Sequence, residues 1–135
     1  MANNINYQNI LLNNLKSLQN SNKKPKLLLH ACCGPCFTIP YETLKEYFNI
    51  TIIYNNSNIY PEEEHTRRME ELKRYIGEIG ADIKIIEFPY DYLTYIQDLK
   101  PYAEMAEGRE RCRICFRKRL AQGFEFASMN GFDYF

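Results

Sequence analysis

The sequence predicts an α/β domain on a parallel sheet, and three observations predict it. Short apolar runs alternate with longer stretches of helical spacing, in the order β-α-β-α-β-α. The first of the short runs, Leu27-Leu28-Leu29, is apolar without alternation, as in a strand covered on both faces. The segments between the runs are long enough to hold crossover helices. At 135 residues the chain suits one domain able to bury a real core.

Residues Tyr7 to Leu18 carry Ile10, Leu11, Leu15 and Leu18 at helical spacing, and Asn20 to Pro25 reads as a polar linker. Residues 1–25 therefore form an N-terminal helix and linker ahead of a Cys-rich α/β unit, 26–135. Lys26 to Ala31 is the first strand. Thr38 to Phe48 reads as a helix with Leu44, Tyr47 and Phe48 on one side and Pro40 in its first turn. Ile50 to Tyr54 is the second strand, and Asn55 to Asn58 a polar loop. Pro61 opens a long helix with Glu62, Glu63 and Glu64 in its first turn, where the dipole favours acids. Its apolar stripe is Met69, Leu72, Tyr75, Ile76 and Ile79, and Gly80 suits its C-terminal end. Asp82 to Phe88 is the third strand, Asp91 to Leu99 a helix, and Lys100 to Arg111 a loop. Ile114 to Gln122 is a helix with Phe116 and Leu120 inward. Asn130 to Phe135 reads as a turn and the start of a further strand, so the domain is expected to be incomplete at its C-terminus.

Charged residues balance at 17 basic and 17 acidic, which excludes a general attraction for nucleic acid and leaves only a local patch to provide one. No apolar run is long enough to span a bilayer, and the Asn-rich start lacks the pattern of a signal peptide, so the expected location is cytoplasmic, with no membrane partner. In that reducing setting closely spaced cysteines point to metal or redox chemistry.

All five cysteines fall in two places, His30-Ala31-Cys32-Cys33-Gly34-Pro35-Cys36 and Cys112-Arg113-Ile114-Cys115. The first follows a strand, where open parallel sheets bind their ligands, and Gly34-Pro35 is expected to turn the chain so that the sulfurs converge. The second is expected at a loop-to-helix junction, which stabilises thiolate. A thioredoxin-like pair would use Cys33 and Cys36 and leave three cysteines unexplained. Spacing alone leaves structural zinc and an iron–sulfur cluster both open. An ATPase of the PP-loop type would need small residues where the cysteines stand.

Three segments carry a more specific signal: His30 to Cys36; Tyr54-Asn55-Asn56-Ser57-Asn58-Ile59-Tyr60-Pro61 with Glu64 and Arg68; and Glu107-Gly108-Arg109-Glu110-Arg111-Cys112-Arg113-Ile114-Cys115-Phe116 with Arg119-Leu120. Together they closely resemble the epoxyqueuosine reductases of the QueH family, over roughly Lys26 to Phe135. The resemblance implies a nucleotide-alpha-hydrolase-like (HUP, Rossmann-like) three-layer fold and reduction of epoxyqueuosine to queuosine at the tRNA wobble position. It also implies a [4Fe–4S] cluster on Cys32, Cys33, Cys112 and Cys115. Cys36 then stands beside the cluster as the candidate catalytic cysteine and ligand to an additional mononuclear iron. The implied partners are tRNA carrying epoxyqueuosine and an external electron donor. The chain departs from the family at Ser57, often Pro, and at His65, often aromatic. The resemblance further implies a strand, helices and a closely spaced cysteine pair beyond the position of Phe135, where the given sequence stops. The competing reading is a non-catalytic zinc-binding or iron–sulfur RNA-binding module.

Arg109, Arg111, Arg113, Arg117, Lys118 and Arg119 form the densest basic cluster and are the candidate RNA contacts. His30 reads as a hydrogen-bonded core histidine, His65 as solvated, and Glu64 with Arg68 as an i,i+4 ion pair.

Overall fold

The computed structural model describes residues 4–135 and centres on a parallel sheet in the order β1-β2-β3. β1 (Lys26–His30) pairs with β2 (Asn49–Tyr54), with Leu28 opposite Thr51 and His30 opposite Ile53. β2 pairs in turn with β3 (Ile85–Glu87). Parallel neighbours require crossovers, which α2 (Gly34–Leu44) and α3 (Glu62–Glu78) supply. α1 (Tyr7–Ser21) precedes the sheet; α4 (Tyr92–Gln97), a 3-10 turn (Lys100–Tyr102) and α5 (Glu110–Met129) follow it. No helix among the described residues is long and apolar enough to cross a membrane.

Successive strand residues face opposite sides of a sheet, and the core divides accordingly. Leu27, Leu29, Ile50, Ile52 and Tyr54 meet the helices α1, α2 and α3 through Leu15, Phe37, Met69, Leu72 and Ile76. Leu28, Ile53 and Ile86 face the other way, against Phe126 and Ala127 of α5. The result is the three-layer, Rossmann-like α/β arrangement that an apolar β1 predicts.

Three local expectations are corrected. α2 begins at Gly34, four residues early, so Gly34-Pro35 opens the helix instead of turning the chain before it, and Pro40 lies in the helix interior. Cys33 caps this helix: its sulfur accepts the Cys36 N–H at 3.4 Å. A Cβ on Gly34 would stand 3.3 Å from the Glu71 carbonyl oxygen, so glycine lets α2 start hard against α3.

The second correction concerns α5, which runs for 20 residues and is rotated from the expected face. Phe116 and Leu120 are exposed, while Arg119, Gly123 and Ala127 point inward. Small residues let this helix approach the sheet, and a Cβ on Gly123 would meet the Phe135 ring at 2.5 Å. Third, the polar stretch Asn55-Asn56-Ser57 is buried. The expected start of a strand beyond β1 is present as a parallel bridge between Leu27 and Tyr134, with the Leu28 N–H donating to the Tyr134 carbonyl at 3.0 Å.

Candidate metal centre

The end of β1 delivers Cys32 and Cys33 to the C-terminal edge of the sheet, and the first turn of α2 brings Cys36 back beside them. The three sulfurs lie within 4.8 Å of one another, with Cys32 and Cys33 3.9 Å apart. Two groups brace this turn. Asn56 Nδ2, fully buried, donates to the Ala31 carbonyl at 2.8 Å, tying the end of β2 to the residue before the thiols. His30 Nε2 lies 3.1 Å from the Asn55 carbonyl, and Asn55 Nδ2 donates to Gln122 Oε1 of α5 at 2.8 Å. His30 is hydrogen-bonded as expected, though half-buried and not within the core, and burial holds its pKa below the ordinary value.

The three thiols are not equivalent. Burial raises Cys32. Burial also acts against the Cys33 thiolate, but the Cys36 side chain and N–H, Cys32 and the nearby Arg68 together bring Cys33 below its ordinary value. Cys36 is the most exposed of the three, yet is pushed up to about 12 by sharing its proton first with Cys33 and then with Cys32. Arg68, the cation of this side, is fixed by Glu64 at 2.7 Å, and Glu64 also holds Arg67. A helix N-terminus, a nearby guanidinium and three convergent sulfurs are the surroundings in which thiolates bind a thiophilic metal. That donor set fits a metal held through cysteine.

Cys112 and Cys115 lie in the first two turns of α5, outside the 4.8 Å group. The Gly108 N–H donates to the Cys112 sulfur at 3.3 Å. Tyr95, buried on α4, donates its hydroxyl to the Cys115 carbonyl at 2.8 Å and stands 3.1 Å from the Cys115 sulfur. Both cysteines line a cavity of about 610 Å³ with Asn58, Tyr92, Tyr95, Leu99, Phe116 and Arg119 among its walls.

The family model described as "Epoxyqueuosine reductase QueH" matches residues 27–135. The chain belongs to the QueH family. It is 33% identical over 135 residues to the epoxyqueuosine reductase QueH of Streptococcus pyogenes serotype M1, covering 97% of this chain and 53% of that protein. The corresponding enzyme of Staphylococcus aureus strain Mu50 is 36% identical, with 97% and 57% covered. That of Dehalococcoides mccartyi is 34% identical, with 82% and 58% covered. The chain therefore spans little more than half the length of these curated relatives.

Within this QueH chain the expected basic cluster separates. Arg109, Arg113 and Arg117, four residues apart, are exposed; Arg113 lies 3.8 Å from Glu110. Arg111 donates to the Ala103 carbonyl at 3.0 Å, and Lys118 is engaged by Asp98 at 2.7 Å. Arg119 is buried and leaves the exposed patch. His65 is corrected too. It packs between the Tyr54 and Tyr90 rings, at 4.9 and 4.6 Å, and burial lowers its pKa. Sequence reasoning missed Asn56 and Tyr95. The run of asparagines directly after a buried strand was the available signal for Asn56. Nothing in local sequence marks Tyr95, whose partner lies 20 residues away.

Proposed function

We propose that this chain works in the reduction of the epoxide of epoxyqueuosine in tRNA to the alkene of queuosine. The reading rests on one observation: Cys32, Cys33 and Cys36 converge at the C-terminal edge of the parallel sheet in a chain of the QueH family. Cys32, Cys33, Cys112 and Cys115 would hold a [4Fe–4S] cluster, with Cys36 serving an additional iron. The net change takes two electrons and two protons and releases the epoxide oxygen as water, so an external electron donor is required. The bound centre would supply one-electron transfer and Lewis acidity.

The protein's own residues do the rest. The α2 N-terminus and Arg68 favour charged sulfur at Cys33. Arg109, Arg113 and Arg117 form an exposed basic row suited to RNA phosphates. Exposed Tyr60, its ring 4.8 Å from that of Tyr92, offers a stacking surface for a base turned out of its loop. The work belongs in the cytoplasm, where thiols stay reduced.

The test is anaerobic purification followed by metal and acid-labile sulfide analysis, then incubation with epoxyqueuosine tRNA and a reductant. Iron with sulfide, and queuosine among the digested nucleosides, are the expected results. Zinc alone, or full iron and absorbance in Cys112→Ala, would sink the cluster assignment. Iron-loaded protein that leaves the epoxide intact would sink the activity of this chain.

A further inference from the structure

Arg119 is the one buried charged side chain among the described residues, 9% exposed, and no carboxylate there lies within ion-pair distance of it. Its Nε donates to the Cys115 carbonyl at 3.5 Å, a long bond, and its guanidinium lies 5.1 Å from the Phe116 ring centroid. A guanidinium carries five N–H donors, and the others of this one reach the Tyr95 hydroxyl or open on the cavity, with no carboxylate among their partners. A buried cation without a counter-charge destabilises a fold unless something anionic neutralises it.

The position says which anion. Arg119 shares the 610 Å³ cavity with Cys112 and Cys115. One turn further along the same helix, Gln122 holds Asn55, whose carbonyl faces His30, so this stretch of α5 is tied to the strand that carries the first cysteine segment. The arginine beside the first segment, Arg68, has Glu64 to match its charge; Arg119 has no such partner. Cysteines lose their protons when they bind metal, and that charge would arise in the cavity Arg119 lines.

We propose that Arg119 is the built-in counter-cation of a thiolate-held metal centre, unmatched in the metal-free chain and matched when the centre is loaded. The inference rests on the reading that these thiols hold metal, and not on the epoxide reaction. Its mark is a pair of opposite effects from one substitution. Replacing Arg119 by an apolar residue of similar length removes an uncompensated charge from the metal-free protein and a compensating one from the loaded protein.

The experiment uses the full chain and cobalt(II) as the probe, under anaerobic conditions, with sulfur-to-cobalt charge-transfer absorption as the readout. Arg119→Met should weaken cobalt binding by about 10–100-fold. The same variant should raise the Tm of the metal-free protein by about 3–5 °C. Arg119→Lys, which keeps the charge, should recover most of the cobalt affinity. A fall in metal-free Tm, or cobalt affinity within about twofold of wild type, would overturn the proposal. Loss of RNA binding by Arg119→Met with cobalt affinity intact would instead make Arg119 a phosphate contact. Wild-type protein that shows no thiolate absorption with cobalt overturns the metal reading and this inference together, which separates that failure from the others.

Discussion

The two CxxC segments have the same spacing and both lie in the opening turns of a helix, yet their surroundings differ. Cys33 caps α2, exchanges hydrogen bonds with two other thiols, and feels an arginine already matched by Glu64. Cys112 and Cys115 lie one turn further into α5, with a backbone N–H on one sulfur, a tyrosine hydroxyl at the other, and an unmatched arginine nearby. The first segment can gather charge with its own neighbours; the second is arranged around charge that must come from elsewhere. Spacing identifies sulfur chemistry, but the groups packed around each pair decide which partners each sulfur meets.

The contrast can be broken or sharpened experimentally, the largest effect coming from the support of the first segment. Asn56→Asp keeps the shape of the side chain, removes the donor to Ala31 and adds a buried charge beside a carbonyl. We expect a loss of about 2–5 kcal/mol in urea unfolding. A loss under about 0.5 kcal/mol would mean that Asn56 does not hold the thiol turn.

Next is the inequality within the triad. Cys36 is the most exposed thiol of the three but gives up its proton least readily, so iodoacetamide at pH 8 should alkylate Cys33 about tenfold faster than Cys36 in metal-free protein. Mass spectrometry of the tryptic peptides reads the ratio, and equal rates would remove the asymmetry.

On the second segment, Tyr95→Phe keeps the ring and deletes the bond to Cys115. About 1 kcal/mol of stability should be lost, and alkylation of Cys115 should change while that of Cys33 does not. Coupled changes at both would show the segments to be one unit.

The smallest effect lies at His65, between the Tyr54 and Tyr90 rings. Its ring is lowered by burial, so the folded chain resists protonation more than the unfolded one does. Its contribution to stability is complete above the unfolded value of about 6.5 and is lost as pH falls through the lower folded value. The urea midpoint should therefore drop between pH 7.5 and 5.5, and less steeply in His65→Phe. An unchanged slope would mean that His65 does not contribute.

Much of the architecture was legible in advance because it depends on local pattern. Uninterrupted Leu27-Leu28-Leu29 required cover on both faces, and the stripe Met69, Leu72, Ile76 could serve only as the inner face of a helix. The start of α2 was misread because its cap is a cysteine sulfur, outside the usual capping set. The face of α5 was misread because hydrophobicity suggested Phe116 and Leu120, whereas the tight approach to the sheet required Gly123 and Ala127.

By itself, then, the sequence determined a parallel α/β sheet with its chemistry in sulfur, since strand apolarity and cysteine spacing are properties of neighbouring residues. Only the tertiary structure decided that Cys33 is readied while Cys36 keeps its proton, that Tyr95 reaches Cys115, and that Arg119 is buried without a counter-charge. Ionisation and charge balance are set by what the fold brings within a few ångströms, and those groups are distant along the chain.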